Sequence, residues 1–203
     1  MPYKPDQREY RSCFSSFQAV APQEGESSDG FVVEGYATTF DVPYEFGPPG
    51  YSEMIDSRAL DGADMSDVIF QIDHEGSPLA RLRNGSLSIS KDAHGLKVRA
   101  DLGGSQAGRE AYEAIKSGLI DRMSWGFTLD DDGWEYDERT RRSTIVRVKK
   151  VFDVSAVTFP ANKDTELHAR SYLDGVIEAS KRESLEREKG LRERAALRLR
   201  LIH

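Results

Sequence analysis

Apolar and polar positions along the first two-thirds of the chain alternate with the period of strands rather than helices. Between positions 8 and 20 aromatic and small polar residues mix (Tyr10, Cys13, Phe14, Phe17), and a run rich in Glu, Ser and Gly follows at 22–30. A second strand is predicted over 31–40, where Val32, Val33, Tyr36, Thr38 and Thr39 all favour extended backbone, and the two strands read as a hairpin. Positions 41–51 hold three prolines and two glycines and are predicted to be irregular, because proline supplies no amide donor and biases its predecessor away from helix.

Val68, Ile69, Phe70 and Ile72 mark a buried strand over 67–73 that ends at His74, with a turn expected at Glu75-Gly76-Ser77-Pro78. Residues 87–89 and 96–102 alternate around Asp92-Ala93-His94-Gly95 and predict another hairpin. One helix stands out over 105–118, with Ser105 as N-cap, Ala111, Tyr112 and Ile115 on one face, and Gly118 as its stop. It leads into a strand at 120–129 containing Met123-Ser124-Trp125-Gly126-Phe127. Further strands are predicted at 134–136, 143–150 and 151–159, closed by Pro160-Ala161-Asn162.

From 171 onward the composition shifts to Glu, Lys, Arg, Leu and Ala, a helix by propensity and a solvated one by its sparse apolar residues. The expected organisation is a domain at 1–170 and a charged helical tail at 171–203. The chain of 203 residues carries a net charge of −7, which argues against nucleic acid as its main partner. Charge is uneven: the tail has eight Lys/Arg against six Asp/Glu, so it could meet an acidic surface.

Cys13 is the single cysteine, so no intramolecular disulfide forms, and no Cys or His pair has metal-ligand spacing. A reducing compartment is expected. The start of the sequence lacks the apolar stretch of about 7–15 residues of a signal peptide, and no run of about 18 apolar residues could span a bilayer. A soluble, intracellular protein is the expectation.

Serine-based hydrolysis needs a hydroxyl, a base within hydrogen-bond reach and a group that orients the protonated base. His74 sits at a strand end, Ser124 lies inside an apolar strand, and Asp153 interrupts the apolar run Val151-Phe152-Asp153-Val154. Each has an ordinary structural explanation: an exposed or structural histidine, a serine bonded to a neighbour, an aspartate pointing out of a half-buried strand. Composition and periodicity do not choose among these. A metal site built on Asp73, His74 and Glu75 is disfavoured, because adjacent side chains on an extended segment point to alternate faces.

An ordered set of short motifs does choose. Val33-Glu34-Gly35-Tyr36-Ala37 comes first, then Gln71-Ile72-Asp73-His74 leading to Pro78-Leu79-Ala80-Arg81, and Ile115-Lys116-Ser117-Gly118. Met123-Ser124-Trp125-Gly126-Phe127 follows, and the run from Phe152-Asp153-Val154 to Phe159-Pro160-Ala161-Asn162 completes it. In this order the chain resembles the prohead (capsid maturation) serine proteases of tailed phages, whose fold is shared with the herpesvirus assemblins.

The resemblance implies an α+β, mainly antiparallel fold: an assemblin-like closed β-barrel flanked by helices. It implies that Ser124 is the nucleophile and His74 its base, and it puts Asp153 where family members usually have an acid, often glutamate. Aspartate is one methylene shorter, so its strand must approach His74 more closely or the third role is filled otherwise; His94 and His168 are lower-ranked alternatives by analogy with the assemblins. The oxyanion hole is left open between amides around Trp125–Gly126 and a loop presenting Arg81 or Arg83. Capsid and scaffold proteins are the implied substrates, the assembling prohead in the bacterial cytoplasm the implied place, and a homodimer an open possibility by the same analogy. No cofactor, metal, nucleic acid or membrane is expected. The alternative function is a catalytically inactive assemblin-like scaffold or assembly chaperone.

Overall fold

A computed structural model of the protein describes residues 7–13, 17–21 and 30–158, together with 182, 185–187 and 189. Among the described residues, three sheets and one α-helix make up the body. The strands are β1 (Glu9–Cys13), β2 (Gln18–Val20), β3 (Val32–Thr39), β4 (Tyr44–Glu45), β5 (Ser52–Ile55), β6 (Ile69–Ile72) and β7 (Glu75–Arg81). They continue with β8 (Leu87–Lys91), β9 (Gly95–Asp101), β10 (Arg122–Leu129), β11 (Trp134–Asp137), β12 (Arg142–Ile145) and β13 (Val148–Val157). The helix α1 (Gln106–Lys116) lies between β9 and β10.

The largest sheet has the order β1-β10-β13-β6-β7, and a second has β2-β3-β9-β8. All pairings in these two sheets are antiparallel except β13 with β6. A third sheet, β11-β12-β5-β4, includes one parallel pair, β12 with β5. The expected mainly antiparallel α+β class is therefore present, and α1 matches the predicted helix. Ser105 caps it by accepting from the Gly108 amide at 3.0 Å, which satisfies one of the donors a helix start leaves unpaired. Ala111, Tyr112 and Ile115 form its buried face.

The closed barrel is corrected. β1 and β7 are the outer strands of the five-stranded sheet, β2 and β8 those of the four-stranded one. The chain passes between outer strands of the two sheets at two places, between β1 and β2 and, through a 3-10 turn at Leu82–Asn84, between β7 and β8, and it crosses a third time through α1, from β9 to β10. The sheets are thus joined covalently on both sides, yet no ladder spans either join among the described residues. Backbone groups at the second join find other partners: the Arg81 amide donates to Ser86 Oγ at 2.9 Å, and the Leu82 amide to the Val68 carbonyl at 3.0 Å. With those donors used, β7 and β8 are not zipped together.

Three further expectations change. The first predicted strand is two, β1 and β2; only β2 forms the hairpin with β3, while β1 pairs with β10. The stretch 41–51, expected to be irregular, contributes the short strand β4. The turn placed at Glu75–Pro78 is instead at Asp73–His74, and Gly76 to Leu79 form an irregularity where the β6–β7 register shifts between Phe70 and Ile72. Glycine and proline there mark a bulge on an outer strand, the place where proline's missing donor costs least.

β10 shows why the five-stranded sheet can carry a site. Met123, Trp125, Phe127 and Leu129 point into the main core, with Trp125 stacked on Phe127 at 4.0 Å between ring centroids. Alternation puts Ser124, Gly126 and Thr128 on the opposite face. Residues 182, 185–187 and 189 are helical with exposed side chains; the rest of the predicted tail, like the Phe159 to Asn162 motif, lies outside the described residues.

Candidate active site

The polar face of β10 is continued by its neighbours. In antiparallel register Ser124 stands opposite Ser155 and Gly126 opposite Asp153 on β13, while on the other side they face Ser12 and Tyr10 of β1. Directly opposed residues project to the same side of a sheet, so one small patch collects Ser124, Asp153, Ser155 and Tyr10.

His74 reaches this patch from the β6–β7 turn. Asp73 and His74 are the two central residues of that turn, with φ of 50° and 60°. Positive φ at both positions belongs to the tight hairpin turns whose twist suits the flanking strands, and it is uncommon for a histidine. The backbone conformation aims the imidazole back over β13. Nε2 lies 2.7 Å from Ser124 Oγ, and Nδ1 is hydrogen-bonded to Asp153 Oδ1.

All three residues proposed from the sequence are therefore brought together. The shorter acid is accommodated because β13 runs beside β6, with Asp153 in register with Ile69, so the carboxylate meets the histidine as the chain turns. With Nδ1–H donating to the carboxylate, the neutral imidazole presents Nε2 as an acceptor to the serine hydroxyl.

Ser124 and Asp153 are almost fully buried, at 2% and 1% exposure, and His74 is partly open at 16%. Ser155 Oγ donates to Asp153 Oδ1 at 3.0 Å, giving the carboxylate a second donor. The other oxygen, Oδ2, is buried without a hydrogen bond; the Arg8 guanidinium lies 3.8 Å away, an electrostatic neighbour beyond hydrogen-bond reach. Oδ2 packs against Gly126, where an added Cβ would collide with the carboxylate and meet the Tyr10 ring at 2.9 Å. Glycine is thus required there for closeness of approach rather than for backbone angle.

β1 and Arg8, the residue just before it, touch every member of the group. Arg8 faces Asp153, the Tyr10 ring lies 4.4 Å from the His74 ring, and the Arg11 carbonyl accepts from Ser124 Oγ at 3.0 Å. The serine hydroxyl has one proton, so the Arg11 carbonyl and His74 Nε2 compete for it. The strand is fastened by its own buried ion pair: Arg11 Nε donates to Glu53 Oε1 at 2.6 Å, and Tyr44 also hydrogen-bonds that carboxylate. Burial alone would lower the Arg11 pKa; the Glu53 carboxylate outweighs that and holds it raised.

The remaining candidates lie elsewhere. His94 sits in the β8–β9 turn of the other sheet against the Tyr36 ring. His168 is outside the described residues. Arg81 donates to Asp67 Oδ1 at 2.7 Å and Arg83 lies 3.6 Å from the same carboxylate, so both are engaged by Asp67. Trp125 and Gly126 belong to ladders on both sides of β10. Asp73 and His74 turn to different partners, Thr158 and Asp153, so they do not converge on one ion. Among the described residues no helix is long and apolar enough to cross a membrane.

Sequence reasoning missed Asp73, Ser155 and Tyr10 as parts of this arrangement, and named Gly126 only for its amide, not for the room it leaves the Asp153 carboxylate. Ser155 was legible in principle, two positions after Asp153 and so on the same face of one strand.

A comparison with protein families finds that residues 18–176 match the model of the caudovirus prohead serine proteases. The chain belongs to that family. Membership implies serine protease activity in general and bacteriophage capsid maturation as its setting. Comparisons with curated proteins and with solved structures gave no match. β1 precedes the matched segment, so part of the wall around this prohead protease's serine lies outside the residues matched.

Proposed function

We propose that the protein is a capsid-maturation serine endopeptidase in which Ser124 is the nucleophile, His74 the general acid–base and Asp153 the orienting acid. The observation that carries this reading is the continuous hydrogen-bonded path from Asp153 through His74 to Ser124 Oγ, in a member of a serine protease family. His74 Nε2 takes the hydroxyl proton as Ser124 Oγ attacks a peptide carbonyl, and returns it to the departing amine. Water then repeats the sequence to release the acyl group. Asp153 keeps Nδ1 protonated and stabilises the imidazolium; Ser155 holds the carboxylate in place. The substrates are scaffold protein, major capsid protein or both, cut within the assembling prohead in the host cytoplasm before DNA packaging, with the protease itself a further target.

The domain at 1–170 carries this chemistry, and the tail at 171–203 anchors it inside the shell through acidic surfaces of scaffold or capsid protein. Deleting 171–203 then blocks incorporation into proheads while peptide cleavage persists; unchanged incorporation sinks the anchoring role.

Co-expression with the capsid or scaffold protein tests the central reading. Processing is expected to stop with Ser124→Ala and with His74→Ala and to survive a metal chelator. A Ser124→Ala chain that still cleaves its substrate removes the assignment. One observation favours the second reading, an inactive scaffold or assembly chaperone: Ser124 is 2% exposed, and its hydroxyl is also bonded to the Arg11 carbonyl. Absence of processing by the wild type in the same experiment would support it.

A further inference from the structure

Outside the three residues already assigned, the residue just before His74 is tied at several points to a neighbouring strand and its end. Asp73 is exposed, yet both of its carboxylate oxygens are used: Oδ1 accepts from the Thr158 amide at 2.8 Å and Oδ2 from Thr158 Oγ1 at 3.0 Å. Its own amide donates to the Ala156 carbonyl at 2.9 Å. Three bonds thus fasten a two-residue turn to the end of β13, the strand that carries Asp153, and to Thr158 just after it.

The turn needs such a fastening. β7 is an outer strand, and its pairing with β6 is interrupted just beyond the turn, where Ile72 and Glu75 pair but Gly76 to Leu79 follow an irregular course. Across that interruption Gln71 Nε2 donates to the Gly76 carbonyl at 2.7 Å, which ties the two arms of the hairpin to each other but not to β13. The β6–β13 ladder ends at Ile72 opposite Ala156, so the tip beyond it, which carries His74, depends on Asp73 for its attachment to β13 and to the residue just after it. A misplacement of about 1 Å costs on the order of 100-fold in rate when groups must meet in a near-attack geometry.

We infer that Asp73 is a positioning residue, whose carboxylate clamps the histidine turn to Thr158 and so registers His74 against both Asp153 and Ser124. The inference rests on the triad reading. Its role is distinct from simple tolerance of positive φ, which glycine would serve better than aspartate. Asp153 lies within β13 and Thr158 directly follows it, so acid and clamp are two points of attachment on one continuous segment.

The test uses the full chain and a fluorophosphonate probe, which reports serine reactivity without knowledge of the substrate. Maximal inactivation rate and probe affinity are measured separately for wild type, Asp73→Gly, Asp73→Asn, Thr158→Val and Ser124→Ala, alongside thermal unfolding. Asp73→Gly keeps the turn's backbone freedom and loses only the clamp, so its inactivation rate is expected to fall about 100-fold with little change in affinity. Asp73→Asn retains an acceptor for the Thr158 amide and tolerates the left-handed backbone, so it recovers most of the loss. Thr158→Val removes one of the two side-chain bonds and falls between. A purely structural residue would lower the unfolding temperature without this split or this rescue.

An Asp73→Gly chain that reacts at the wild-type rate, with Ser124→Ala unreactive, overturns the positioning role alone. Should Asp73→Gly fail to fold, a Thr158→Val rate equal to wild type overturns it instead. Probe incorporation that persists in Ser124→Ala overturns the triad reading and the positioning role together.

Discussion

Two hairpins of this protein present a histidine in a turn behind an aspartate, each with a tyrosine ring packed on it, and only one of them reaches a reactive partner. In the β8–β9 turn, Asp92 closes its own loop by accepting from the His94 and Gly95 amides at 2.8 and 3.0 Å, and Tyr36 hydroxyl donates to it at 2.7 Å. His94 lies edge-on to Tyr36, 4.5 Å between centroids. In the β6–β7 turn Asp73 spends its carboxylate on another strand, and His74, packed on Tyr10, is carried to an acid and a hydroxyl. An aspartate that serves its own turn makes a self-contained hairpin. One that reaches outward makes the turn part of a site.

The sharpest way to break this contrast is to remove each histidine. His74→Ala is expected to lower peptide cleavage by on the order of 10⁶-fold, as for loss of a triad base, whereas His94→Ala leaves the rate within about twofold. A comparable loss in both would erase the distinction. Next in size is Asp153→Asn, which keeps the shape but no longer holds Nδ1 protonated; turnover should drop about 10⁴-fold while the unfolding temperature stays near wild type.

The next effects are on stability, and both concern the sheet that carries the β6–β7 turn. Arg11→Met strands Glu53 in the interior, so urea unfolding should show a loss of about 3–5 kcal/mol, while Arg11→Met combined with Glu53→Leu should recover part of it. Gly126→Ala forces a methyl against the Asp153 carboxylate; about 1–3 kcal/mol of destabilisation is expected, with a fall in turnover larger than the fold loss explains.

The smallest effect belongs to the β8–β9 turn. The Tyr36 hydroxyl and the two turn amides hold the Asp92 carboxylate below its usual range. A depressed acid contributes stability that is complete above its unfolded pKa and fades as pH falls through the folded one. The unfolding temperature of Asp92→Asn should therefore approach that of wild type as pH is lowered below about 4, with cleavage at neutral pH unaffected.

Much of the scaffold could be read from local pattern. Strand alternation around Ser124, the capped helix after Ser105 and the β8–β9 turn at Asp92–Gly95 are all determined by neighbours in sequence, and all are found. What could not be read depends on partners far along the chain. Gly76 and Pro78 carry the same composition whether they make a turn or a bulge, and the deciding contact, Asp73 with Thr158, spans 85 positions. β1 separates from β2 because its partner is β10, a choice that alternation within 8–20 does not encode. The barrel expectation failed for a related reason: both sheet joins exist in the chain path, but closure requires ladders that the join residues do not make. For the site, residue type and position left Ser124, His74 and Asp153 with ordinary structural explanations, and the ordered family motifs picked them out before geometry brought them together.

The strand order has a consequence for when activity can arise. β13 lies between β10 and β6 in the large sheet, although it is the last strand in sequence of the described fold. Ser124 and His74 are translated before it, but neither has its acid, and the histidine turn has nothing to lean on, until Val157 and Thr158 have left the ribosome. If Ser124, His74 and Asp153 act together as proposed, a nascent chain is chemically silent until that strand has emerged.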